Sequence, residues 1–289
     1  MLNPAEQFEL YRRLLFSIAY RMLGSAMAAE DMVQETYLRF QAMPAESIRS
    51  PKALLSTIVT RLCINSLQSA QAQRETYIGP WLPEPLRTGE DVLATSTDHA
   101  ALDESISMAF LVLLETLTPT ERAVFLLREV FEYEYAEIAE IIGQEEAACR
   151  QLFSRAKKHI TENRPRFKTS PEQHRRVLDQ FIHAVQGGEI NGLIDLLAAD
   201  VTMWADGGGK ARGAATRVLH GADAVARFVR ASTSLPAESY SAEIAELNGE
   251  PAILLRIGDH VIVALFITVE DARVHEIRAI GNPDKLALL

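Results

Sequence analysis

At 289 residues the chain has room for two or three domains of roughly 100–200 residues each, and 48% hydrophobic with 24% charged residues is the composition of a globular protein. No apolar run reaches the ~18 residues of a membrane span, and MLNPAEQFEL lacks the basic start and apolar core of a secretory signal, so a cytoplasmic protein is expected. The net charge of −10 argues against indiscriminate nucleic-acid binding.

Residues 1–73 read as an all-helical domain. A first helix places Phe8, Tyr11, Leu14, Leu15, Ile18 and Met22 on one face and stops at Gly24-Ser25. A second, about 28–43, buries Met32, Val33, Tyr37 and Phe40 and turns Glu30, Asp31, Gln34, Glu35 and Arg39 outward. After Pro44 and a polar loop, Ser50-Pro51 caps and starts a third helix running to about Gln73, with Arg61 and Asn65 among its polar positions. Cys63, on this helix, and Cys149 show no metal-ligand spacing and read as small buried hydrophobes in a reducing compartment. No metal or cofactor is expected.

Residues 74–107 are polar, acidic and loop-like, apart from Trp81-Leu82-Pro83-Glu84-Pro85-Leu86. Two prolines stiffen an extended segment, and an aromatic with two leucines calls for a partner surface. This is read as a docking segment.

Residues 108–165 hold the clearest local signals. Thr118-Pro119 with Glu121 spells a capping box with proline at the first helical position. A short helix with Ile138, Ala139 and Ile142 closes at Gly143, and a third helix over about 145–160 turns Ala148, Leu152, Phe153 and Ala156 inward. Ala139, four residues before Gly143, suits a close helix crossing, so the segment reads as a helix-turn-helix. Its last helix is basic: Arg150, Arg155, Lys157, Lys158, Arg164, Arg166 and Lys168 face a single acid, Glu162, over residues 150–168. That asymmetry is what phosphate contact requires.

Past Pro165 the pattern changes. Helices are expected over 171–187 and 190–198, a strand over 201–205, a helix over 221–234, and four strands near 240–248, 251–257, 260–269 and 273–281. Asn248-Gly249, Gly258-Asp259 and Glu270-Asp271 mark the hairpin turns. Helices followed by an antiparallel meander make an α+β domain with helices on one face of a curved sheet. Asp206-Gly207-Gly208-Gly209-Lys210 follows the first strand but lacks P-loop spacing, so its glycines read as room for close backbone approach.

In order and spacing, the AEDMVQETYLRF and SPKALLSTIVTRLCINSL stretches with the downstream helix-turn-helix resemble an extracytoplasmic-function sigma factor of bacterial RNA polymerase. The WLPEPL segment, the DGGGK loop and Asn282-Pro283-Asp284-Lys285-Leu286 resemble the signature of the group with a fused SnoaL-like domain. The fold implied is multidomain: two all-α sigma domains, region 2 over 1–73 and the region 4 helix-turn-helix over 108–165, an acidic linker over 74–107, and a SnoaL-like α+β cone over 171–289. The resemblance implies a non-catalytic transcription initiation factor that recruits polymerase core to promoters and assists melting. It places Asp31, Gln34 and Glu35 against the clamp helices of the polymerase largest subunit. The 45–50 loop and third helix, with Arg61 and Asn65, go to the −10 element.

The same resemblance puts Arg150, Gln151, Ser154, Arg155, Lys157 and Lys158 at the −35 element. Gln144-Glu145-Glu146 departs from the family pattern, since two acids at the helix start suit the dipole but repel phosphate. Trp81 to Leu86, Asp206 to Lys210 (Asp206, Gly207, Gly208, Gly209, Lys210) and Asn282, Pro283, Asp284 and Lys285 become an interdomain regulatory set. The alternative is a bifunctional chain whose C-terminal domain binds or converts a small molecule, with Asp206, His220, Tyr240, His260 and His275 as its available acids and bases.

Overall fold

The computed structural model describes residues 3–44, 48–74, 77–88, 105–163, 169–188, 190–211, 213–233 and 239–289, with backbone alone over 70–74. By internal contacts the chain divides into two units, Met1–Glu75 with Glu90–Pro165, and Thr76–Gly89 with Arg166–Leu289. The expected 74–107 linker is thereby split: most of its WLPEPL-bearing first half belongs to the second unit.

The first unit is all helical. Helices α1 (Pro4–Glu9) and α2 (Arg12–Leu23) stand where the periodicity predicted one continuous helix. Asn3 and Glu6 form a capping box at α1, and the Tyr11 N–H reaching the Phe8 carbonyl marks the break. Gly24 ends α2 in the left-handed conformation, and Ser25 caps α3 (Ala26–Gln41). Helix α4 spans Pro51–Arg74. Leu15, Ile18, Tyr20, Met22, Val33 and Leu55 are buried here.

Helix α5 (Met108–Leu114), with no period of its own in MAFLVLL, precedes α6 (Pro119–Glu129), α7 (Tyr135–Ile142) and α8 (Glu146–Asn163). The Thr118–Glu121 capping box forms as read; such a cap contributes about 1 kcal/mol. Gly143 (φ 71°) closes α7, its N–H on the Ala139 carbonyl at 2.9 Å. Val124, Leu127, Tyr133, Ile138, Ile141 and Cys149 make the core of this part. Cys63 and Cys149 are buried free thiols whose pKa burial pushes up, which leaves them unreactive.

Two buried arginines join the early helices to the later ones within this unit. Arg21 donates to Ser105 Oγ at 2.9 Å and lies over the Phe131 ring, and burial lowers its pKa to about 10. Arg122 pairs with Glu115 at 2.6 Å and donates to the Met22 carbonyl. A buried Ser56–Tyr133 hydroxyl contact of 2.7 Å adds to the same seam.

The second unit carries α9 (Pro171–Gln186), α10 (Ile190–Leu196), α11 (Ala222–Ser232) and a six-stranded sheet. Strands β1 (Leu197–Asp206), β2 (Leu219–His220), β3 (Ser241–Leu247), β4 (Glu250–Ile257), β5 (His260–Glu270) and β6 (Arg273–Ile280) lie in the order β2-β1-β6-β5-β4-β3, with only β1 and β6 parallel. Irregular register in β1–β6, β4–β5 and β5–β6 bends the sheet. Phe181, Leu193, Val225 and Val229 pack on it, giving the α+β cone, helices on one face of a curved sheet, that the sequence pattern predicts. Strand β1 starts four residues earlier than read. The third hairpin turns on Asp271-Ala272 (φ 46° and 59°) rather than Glu270-Asp271. A short helix α12 (Pro283–Leu286) follows β6.

Candidate functional site

The outward face of α3 is built by helical spacing. Met27, Asp31, Gln34 and Leu38 fall on one stripe (i, i+4, i+7, i+11) and all are exposed. Met27 is 55% and Leu38 59% exposed, unusual for large apolar side chains. Glu35 lies beside the stripe, paired with Arg39 one turn on at 2.7 Å.

The basic face of α8 exposes Arg150, Gln151, Ser154, Arg155, Lys157 and Lys158 together. Its cations already have partners. Arg150 pairs with Glu146 and lies 4.4 Å from the Tyr135 ring centroid, Arg155 meets Glu121 at 3.3 Å, Lys157 meets Glu129 at 2.9 Å, and Lys158 reaches Glu162 at 3.8 Å. Exposed pairs of this kind contribute only about 0–1 kcal/mol, so a phosphate can replace the carboxylate at little cost. The pairing also gives Glu146 a role on its own helix. Glu145 remains exposed at the helix start.

Arg61 sits elsewhere. Its Nε donates to the Ile141 carbonyl at 2.7 Å and one terminal nitrogen to the Glu140 carbonyl at 3.0 Å, so it caps the C-terminal end of α7. Asn65, one turn along α4, is exposed. Residues 45–47 of the expected −10 loop, and Arg164, Arg166 and Lys168, lie outside the described residues.

The three short motifs of the second unit meet at Asp206. This residue is fully buried at the end of β1, and its carboxylate is surrounded by donors. Lys285 Nζ lies at 2.6 Å, the Leu82 N–H at 2.8 Å, the Tyr77 hydroxyl at 2.5 Å and the Gly208 N–H at 3.1 Å. Lys285 also donates to the Leu82 carbonyl and lies 4.1 Å from the Trp81 ring centroid. Leu82, Pro83, Glu84, Pro85 and Leu86 are buried. Farther along, Leu86 and Asn248 exchange backbone and side-chain bonds of 2.8 and 2.9 Å, and Arg87 bridges to Leu247 beside the β3–β4 hairpin.

The glycines of the DGGGK loop have a steric reason. A Cβ on Gly208 (φ 56°) would fall 2.3 Å from Asn282 Nδ2, and one on Gly209 (φ 73°) 2.9 Å from Ile78 Cδ1. Asn282 caps α12 and donates to the Tyr77 hydroxyl at 3.1 Å, while Lys210 pairs with Asp284. Burial first, then the Asp206 contact, raises the Tyr77 pKa and keeps its hydroxyl a donor. Tyr77 and Ile78 were not singled out from sequence, and Asn248 was read only as a turn residue, not as a partner of Leu86. An aromatic and an isoleucine just ahead of the prolines in a polar stretch were the available signal.

The candidate acids and bases do not converge on one reactive constellation. Tyr240 and His260 border a cavity of about 770 Å³ that Asp206 also touches. His220 contacts Thr202 on the β1–β2 pair, and His275 lies 3.8 Å from both Asp200 and Glu270. Among the described residues no group of three or more His, Cys, Asp or Glu could hold a metal, and no helix is long and apolar enough to cross a membrane.

The first unit's helices, ending in a helix-turn-helix with a basic last helix, and the α+β cone of the second unit form the class of architecture that the sequence resemblance implies. The family models for sigma-70 region 2 and sigma-70 region 4 match residues 7–73 and 107–160. The chain is 37% identical over 289 residues to the ECF RNA polymerase sigma factor SigJ of Mycobacterium tuberculosis (strain ATCC 25618 / H37Rv), covering 96% of this chain and 92% of that protein. It is 31% identical over 281 residues to the probable ECF RNA polymerase sigma factor SigI of the same species (strain CDC 1551 / Oshkosh), with the same coverage. The crystal structure of M. tuberculosis SigJ superposes with a TM-score of 0.75 at 35% identity, over 98% of both chains. The chain belongs to the extracytoplasmic-function RNA polymerase sigma factors.

Proposed function

We propose that this sigma factor, acting in the cytoplasm, docks on the clamp helices of the polymerase largest subunit through α3, and reads the −10 and −35 elements through α4 and α8. The α3 stripe carries the proposal. Two large apolar side chains held in water beside an acid and an amide suit a partner with a basic, partly apolar surface. Run-off transcription with purified core polymerase and the full chain tests it. Met27→Ala/Leu38→Ala and Asp31→Lys should each abolish core binding and initiation while leaving thermal unfolding unchanged; undiminished core binding by both variants overturns it.

The C-terminal unit acts in this reading as a built-in regulator rather than a catalyst. Asp206, its buried acid, accepts from Lys285, Tyr77 and two backbone N–H groups, so this carboxylate holds the dock together rather than facing a substrate. By holding residues 77–88, which lie in sequence between regions 2 and 4, it can bear on how the two DNA-reading helices are presented to a promoter. The cavity beside this dock supports a second reading, small-molecule binding.

A further inference from the structure

The cavity in the second unit falls within the size range of small-molecule sites. Its walls are Phe181, Met203, Phe228, Leu255, Leu265 and Ile277, drawn from α9, α11 and four strands. The polar groups that border it are mostly committed. Asp206 is held by Lys285 and Lys210 by Asp284, while the Ser232 and Thr233 hydroxyls are spent on Phe228 and Val229 carbonyls of their own helix. Asp259 and His260 lie exposed at the rim. Tyr240 is the exception: it is 9% exposed, lines the cavity, and has no hydroxyl partner among the described residues.

A charged ligand would lose its hydration here and find no uncommitted counter-charge on the inner walls, which is costly. A neutral apolar molecule loses little and gains burial, with one hydrogen-bonding group to spare for Tyr240. Leu286, Ala287 and Leu289 also form part of the wall. Leu286 is the last residue of α12, whose preceding residue, Lys285, holds Asp206 and Leu82.

We infer that this cavity binds a neutral, predominantly apolar small molecule through a hydrogen bond to Tyr240, and that the bound molecule bears on α12 and so on the docking of residues 77–88. The second half of the inference rests on the dock acting as regulator; the first half does not.

The test uses the full chain and N-phenyl-1-naphthylamine, a neutral fluorophore, with 1-dodecanol as displacer and 1-anilinonaphthalene-8-sulfonate as the anionic comparison. The neutral probe should bind at one site per chain and be displaced by dodecanol. Wall-filling Ala279→Phe should weaken it at least tenfold. Ile262→Trp, at a half-buried wall position, should do the same and covers the case in which Ala279→Phe does not fold. Tyr240→Phe should weaken dodecanol severalfold.

Absence of saturable binding, binding untouched by the wall variants that fold, or binding of the anionic probe alone overturns the cavity assignment. For the coupling, Trp204→Phe leaves Trp81 as the single tryptophan, and saturating dodecanol should shift its emission. An unchanged Trp81 with a filled cavity overturns the coupling. Asp206→Asn should shift Trp81 emission with no ligand present; if it does not, the dock reading fails while probe binding stands or falls separately.

Discussion

The Lys285 ammonium lies 2.6 Å from the Asp206 carboxylate, with the two side chains 11% and 0% exposed. Neither charge stands alone, because Leu82, Tyr77 and Gly208 fill the remaining acceptor sites of the carboxylate. Removing one partner strands the other, which in buried pairs costs roughly 3–5 kcal/mol. Asp206→Asn should therefore lower the stability of the C-terminal unit by about that amount and expose residues 77–88 to protease. Lys285→Met should have a similar effect, and the double variant less than the sum of the two, since both act through one contact. Urea unfolding of the three variants measures the coupling; strict additivity would remove the pair from the account of the dock.

Protonation of His174 opposes folding. Its Nε2 meets the Ile267 carbonyl at 2.8 Å, tying α9 to β5, and burial lowers its pKa below the usual imidazole value of about 6.5. With a depressed folded pKa the unfolded chain binds more protons as the pH falls. The contribution is thus intact above about pH 6.5 and is lost as the pH drops towards the folded value. His174→Gln should flatten the fall in unfolding midpoint between pH 7.5 and 5.5 relative to the parent chain. An equal slope in both would show that other groups set it.

Arg61 separates two roles that sequence alone could not. As a cap on α7 it makes two charge-assisted bonds to carbonyls, one of them exposed, so Arg61→Ala should cost about 1–2 kcal/mol of first-unit stability. As a phosphate contact it should also lower the salt slope of promoter binding by about one. Fluorescence anisotropy over a range of salt decides between them. Weaker binding with an unchanged slope assigns Arg61 to holding α7, and a reduced slope assigns it to DNA.

Local chemistry was legible wherever the chain settles its own geometry. The Thr118–Glu121 capping box, the Gly143 stop and the Asn248-Gly249 turn formed because each needs only neighbouring residues. The α1–α2 break carried the same kind of signal, with Asn3, Pro4 and Glu6 in the N-cap, N1 and N3 places. The apolar series running on through Tyr11 and Leu15 masked it.

The start of β1 was hidden because Leu196-Leu197 continues the apolar run of α10. The turn at Asp271-Ala272 was missed since alanine rarely takes positive φ. Arg21 and Arg122 read as surface residues on type alone, and their partners Ser105, Glu115 and the Met22 carbonyl arrive from other helices or from distant sequence. The motifs flanking Asp206 were visible one by one. That they share a single carboxylate depends on β1 and β6 running parallel, so that Asp206 and Gly281 meet at 2.8 Å through backbone.

Gly208 and Gly213 share a left-handed backbone, at φ 56° and 79°, and differ in surroundings. Alanine at either position pays the left-handed strain, about 1–2 kcal/mol. Beyond Gly213 a Cβ meets nothing within 4 Å, whereas at Gly208 it falls 2.3 Å from Asn282 Nδ2 and 3.1 Å from the Tyr77 hydroxyl. Asn282 cannot retreat without releasing the Asp284 N–H that it caps and the Tyr77 hydroxyl that it supports. Gly208→Ala should therefore lose more stability than Gly213→Ala by a further 1–3 kcal/mol, in the range of an overpacked core position. Only Gly208→Ala should increase cleavage within residues 77–88. Equal losses in thermal unfolding, with equal protection of that segment, would mean that the glycine serves its turn and not the dock.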